Sequence, residues 1–179
     1  MTPSYGTAQL DLAATWAHDL ELSVEPLEVR NALGAVVPAI GIVRGQVRFA
    51  LFEVRNVLHL VCSIQVPEEV RSATSRLKAT LQEEMLIALR QAISECPRVG
   101  WVMLPMTTAK IGDLKELRLD ETFRISESEL QSFNRFADAL QELSTVVLKA
   151  SGVYGQLMTT QSSLPGAWPK TDSPPSGYA

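Results

Sequence analysis

Apolar positions near the start of the chain recur at three- and four-residue spacing. Leu10, Ala13, Ala14, Ala17 and Leu20, with Trp16 beside them, predict a helix from about Thr7 to Leu22. Pro26 lies beyond it, where a helix is not expected to continue. A β-rich region starts near Leu27, and Gly34, Pro38, Gly41 and Gly45 interrupt it, leaving its strand boundaries open. From Val47 to Val66 the chain reads VRFALFEVRNVLHLVCSIQV and the period becomes two. Asn tolerates positive φ, so Arg55-Asn56 predicts a two-residue hairpin turn. Pairing Val54 with Val57 then sets Leu51 opposite Leu60, Phe49 opposite Cys62 and Val47 opposite Ile64, all on one apolar face. The other face carries Ala50, Phe52, Val54, Val57 and Val61, with Arg48, His59 and Ser63 as its polar members.

Pro67-Glu68-Glu69 suits a helix start, because proline fits the first turn and carboxylates suit the positive end of the dipole. Val70, Ala73, Leu77, Leu81, Met85, Ala88, Leu89 and Ile93 extend one helix to Cys96-Pro97. Val99 to Leu104 is a strand so apolar that both faces should be covered. In the strand from about Leu114 to Ile125, Glu121 breaks the apolar side and predicts a bulge or an edge position. Ser126 and Glu129 match a capping box. The helix it opens carries Leu130, Phe133, Phe136, Ala137, Leu140, Leu143, Val146 and Val147 and runs to about Ala150. Gly152-Val-Tyr-Gly155 reads as its stop. A Pro- and Ser-rich tail, residues 157–179, is expected to be disordered after a single domain, 1–156. Phe49, Leu51, Leu60, Cys62, Ile64, Leu81, Phe133 and Leu140 are the expected core.

Composition narrows the functional classes. Among 179 residues, 16 Lys and Arg stand against 20 Asp and Glu, and the basic residues are scattered singly. That gives no electrostatic footprint for nucleic acid. No apolar run approaches the roughly 20 residues that cross a bilayer. The start, Met1-Thr-Pro-Ser-Tyr-Gly6, lacks the basic region and apolar core of a secretory signal, and two cysteines make no disulfide framework. A cytoplasmic location is the expectation.

Little in the chain reads as chemistry. His59 and Cys62 are three apart on a strand, so they face opposite ways and cannot share a metal. Glu68-Glu69 and Glu83-Glu84 diverge by about 100° on their helices, and Asp120-Glu121 point to opposite faces of a strand. Neither a Gly-x-Ser-x-Gly elbow nor a phosphate loop or dinucleotide fingerprint is present. No catalytic, cofactor-binding or metal-binding residue is assigned, and no cofactor is expected.

The order of elements, α-β-β-β-α-β-β-α, predicts a two-layer α+β fold with a mostly antiparallel five-stranded sheet and three helices. With the hairpin above, the stretch LQEEMLIALRQAI and the passage LRLDETFRISESELQSFNRFADAL, it resembles an uncharacterised archaeal family that shares the type III secretion chaperone-like fold. The resemblance covers about Ala8 to Ala150. The interrupted first strands and the Pro-rich tail depart from it. It implies binding of extended partner segments, commonly by homodimers, and carries no functional residue across. Helices on one sheet face alone would leave the second hairpin face in water. Ala50, Phe52, Val57, His59 and Val61 are therefore the possible interface of a homodimer or with a protein partner. A non-catalytic binding or assembly module is the first reading. The alternative is a small enzyme whose site is assembled from residues distant in sequence.

Overall fold

The computed structural model describes residues 4–30, 35–126 and 128–160. The strands are β1 (Ser23–Arg30), β2 (Val36–Arg44), β3 (Val47–Val54), β4 (Val57–Gln65), β5 (Gly100–Leu104) and β6 (Glu116–Phe123). The helices are α1 (Ala8–Asp19), α2 (Glu68–Ser75), α3 (Ala79–Ser94) and α4 (Glu129–Thr160), and a 3₁₀ turn spans Ile111–Asp113. Among the described residues there are thus six strands and four α-helices, not five and three. The sheet order is β1-β2-β3-β4-β6-β5, and β1 to β4 are successively antiparallel. Of the tail expected over 157–179, everything from Gln161 onward lies outside the described residues.

The chain divides into two compact units. Among the described residues, the first takes in 4–63 and 120–141. Thr7 opens α1, its hydroxyl accepting from the Leu10 N–H at 3.2 Å. The extra strand comes from residues that sequence reading takes as breaks. Pro26 and Pro38 both sit inside strands, opposite Ile40 and Glu28. β1 is an edge strand, and Pro38 precedes the β2–β3 ladder, whose first pair is Ala39 with Phe52, so neither proline removes a bond from an interior ladder. Gly41 also lies mid-strand, opposite Glu25, whose Cγ would stand 3.0 Å from a Cβ there. Gly45, at φ +63°, makes the turn into β3. In the next turn Arg55 and Asn56 both take positive φ, +51° and +63°, and Val54 pairs with Val57 and Leu51 with Leu60 as expected.

Ile40, Ile42, Phe49, Leu51, Leu60 and Cys62 are wholly buried. Ile40, Ile42 and Pro38 share one sheet face by their spacing, and Gly6, at the start of α1, lies against the Pro38 ring. α1 therefore covers this face. α4 joins it through Phe136, which packs between Trp16 and Phe123 with ring centroids 5.9 and 6.2 Å away. Phe133 is only half-buried, meeting Trp16 edge-on, and Leu130 is exposed. Of the stripe expected on α4, Phe136, Leu140, Leu143, Val146 and Val147 are buried and Ala137 is half-buried, and Ala139 joins them. The cap of α4 also differs. Ser128, not Ser126, accepts from the Gln131 N–H, while the Ser126 N–H goes to the Ser132 hydroxyl at 2.9 Å.

Glu121 is not on an edge, since β6 lies between β4 and β5. It is buried and paired with Arg135 of α4.

The second unit takes in residues 64–119 and 142–160 of the described chain. The single helix expected from Pro67 to Cys96 is broken at Arg76-Leu77-Lys78 into α2 and α3. The Thr74 and Ser75 hydroxyls donate back to carbonyls within α2, a bonding that weakens a helix interior. The buried Gln82 amide donates to the carbonyls of Ser75 and Leu77, satisfying the groups that the break frees. α3 then buries Gln82, Met85, Leu86, Leu89 and Ile93, which leaves Leu81 40% exposed rather than in the core. β5 ends the sheet order, and Trp101 and Val102 are exposed, so it is not covered on both faces. α4 continues past Ala150 through Gly152 and Gly155 to Thr160. A glycine in an exposed helical turn weakens a helix without necessarily ending it.

Candidate functional site

The sheet face away from α1 carries an apolar cluster of its own. Its rows follow from the register: Leu27, Ala39, Phe52 and His59 lie across four strands, and Gly41, Ala50 and Val61 lie beside them. Val29 pairs with Val37, and Val54 with Val57. Val29, Ala39, Ala50, Phe52 and Val61 form the centre at 0–3% exposure, with Leu27 and Val37 packed against it. The middle of this face is therefore not open to water, unlike the patch inferred from the hairpin alone. Its accessible part is a ledge near the hairpin tip. Val54 is 40% exposed, and Val37, Val57 and His59 are half-buried.

Of the five candidate interface residues, Ala50, Phe52 and Val61 thus lie at the centre of the cluster, and Val57 and His59 on its rim. Leu27, Val29, Val37 and Ala39 complete it and were missed. Their signal was the same period-two alternation, hidden because Pro38 and Gly41 read as breaks.

The His59 ring stacks on Phe52, with centroids 5.3 Å apart and planes 4° from parallel. Burial lowers the imidazole's pKa below its ordinary value, and the charge of Asp120 partly opposes that shift. No hydrogen bond joins His59 to Asp120. Farther along the face, Arg48 of β3 pairs with Glu25 of β1, which lies across the space that Gly41 leaves. This pair is well exposed and contributes at most about 1 kcal/mol.

Cys62 sits on the opposite face, wholly buried, and desolvation pushes its thiol up to about 12. It packs as a small apolar side chain. Among the described residues, no three His, Cys, Asp or Glu side chains gather where they could hold a metal ion. No described helix is long and apolar enough to cross a membrane.

No family model matches the chain. No curated protein matches it in sequence. An uncharacterised protein from Methanothermobacter thermautotrophicus shares its fold. The TM-score is 0.59 at 10% identity, over 81% of this chain and 98% of that one. YbjN of E. coli, described as a proposed transcription regulator, aligns with a TM-score of 0.49 at 13% identity, over 85% and 94% of the two chains. At such identities the likeness concerns the fold alone, an α+β arrangement with an antiparallel sheet.

Proposed function

We propose that the protein is a non-catalytic protein-binding module with a type III secretion chaperone-like fold, acting in the cytoplasm as a homodimer. The observation that carries this reading is the ledge of Val37, Val54 and Val57 beside the stacked Phe52–His59 pair. It continues a buried apolar cluster out to solvent on the face that α1 does not cover. Val57 and His59 make the contact, while Ala50, Phe52 and Val61 support them from beneath. A two-fold axis would set the ledge against itself, the commonest closed arrangement for soluble oligomers. Free cysteines at 62 and 96 fit a reducing compartment.

Sedimentation at micromolar concentration tests the reading. The expected result is a dimer that Val57→Glu converts to a monomer of unchanged helix content. A wild-type monomer across that range would overturn the homodimer. The enzyme alternative would need His59 or His18 hydrogen-bonded to an acid in a cleft, and no observation favours it.

A further inference from the structure

In the second unit, α2 and the 3₁₀ turn border an open pocket of about 300 Å³ lined by Glu68, Arg71, Ser72, Ser75, Arg76 and Gly112. Gly112 sets its wall. A Cβ there would stand 2.6 Å from the Ser75 hydroxyl and 3.0 Å from the Ser75 Cα, so only glycine lets the turn close onto α2 this tightly.

The lining is rich in donors and short of acceptors. Arg71 pairs with Glu68 through one terminal nitrogen, while its Nε is buried without a hydrogen-bond partner. A buried donor left unmatched is costly and calls for an acceptor. Arg76 follows α2 directly, and its side chain is exposed. The Ser75 hydroxyl is committed to the Arg71 carbonyl at 2.8 Å, which leaves Ser72 as the hydroxyl donor. Two guanidinium groups against one carboxylate give the pocket a net positive charge.

We propose that this pocket binds a phosphate group carried on a small molecule. Guanidinium forks suit the oxygens of a phosphate, and the volume leaves room for a substituent beyond the group itself. The Arg76 and Arg71 guanidinium groups donate to two phosphate oxygens from the pocket lining, and the Ser72 hydroxyl donates to a third. Glu68 holds Arg71 in place and weakens binding through its own charge. The site shares no residue with the valine ledge and does not depend on the dimer.

Amide NMR of the full chain, titrated with inorganic phosphate and with glycerol phosphate against chloride at equal ionic strength, tests this. Saturable shifts are expected at Ser75 and Gly112, tighter for glycerol phosphate than for inorganic phosphate. Arg76→Ala, an exposed change that should leave the fold intact, is expected to weaken binding roughly tenfold or more, the worth of a charged hydrogen bond. Glu68→Gln is expected to tighten it. Absent shifts, or shifts that survive Arg76→Ala unchanged, would overturn the proposal. Equal response to phosphate and glycerol phosphate would overturn the carried-group part of it.

Discussion

Arg135 on α4 donates to Glu121 on β6, and the Glu121 side chain is 0% exposed while that of Arg135 is 27% exposed. The Arg135 guanidinium also lies 5.9 Å over the Phe123 ring. One contact thus ties the helix to the sheet by charge and the other by cation–π attraction.

Removing one member of a buried pair strands the other. Arg135→Met is expected to cost about 3–5 kcal/mol, because Glu121 keeps its charge in an apolar place. Glu121→Leu should cost less, since the Arg135 head can still reach water. The double variant should recover most of the loss. Urea unfolding of the four proteins checks the order. A double variant as unstable as Arg135→Met alone would show that the pair does not act as a unit.

The turn between β3 and β4 holds two residues in the left-handed region without a glycine. That region costs an L-residue about 1–2 kcal/mol, less for asparagine. Converting Arg55-Asn56 to Asn-Gly is expected to stabilise the protein by about 1 kcal/mol, seen as a higher melting temperature. No change would mean that the turn relaxes in solution to a different conformation.

Burial lowers the pKa of His59, so the folded protein takes up this proton less readily than the unfolded chain does. The unfolded chain then binds more protons as pH falls below about 6.5, and stability is lost through that window. His59→Phe, which keeps a ring against Phe52, should flatten that part of the profile. Asp120→Asn removes the charge that favours protonation and should push the His59 titration lower still. An NMR titration of the imidazole reads both. A His59 midpoint above 6.5 would contradict the burial argument.

Legibility followed the source of the information. The β3–β4 hairpin could be read because its alternation, turn residues and register all agree, and Leu51 faces Leu60 as the pattern required. β1 and β2 could not be delimited, because Pro38 and Gly41 look local while their tolerance is set by neighbours: the start of the next ladder and the Glu25 side chain. The α2–α3 break was equally hidden, since its support is a side-chain amide, Gln82, that reads as one more polar position inside an otherwise helical pattern. Glu121 was noticed as an anomaly and misread, because its partner lies 14 residues on. In the candidate site, the hairpin's half of the cluster was legible and the β1–β2 half was not. The arginine pocket had no sequence signal, as Arg71 and Arg76 look like any solvated pair on a helix.

The interleaving of the two units bears on how the chain is made. Residues 4–63 and 120–141 form one unit, with 64–119 inserted between them. During synthesis the first four strands leave the ribosome without Phe123, Phe136 or Arg135, so Trp16 has no aromatic partner and α1 covers their helix-bearing face without α4. The inserted segment likewise waits for residues beyond 141. Neither unit can close before α4 emerges, so the nascent chain carries exposed apolar strands for most of its translation. That interval is when such a chain is most open to misassembly and to rescue by a holding factor.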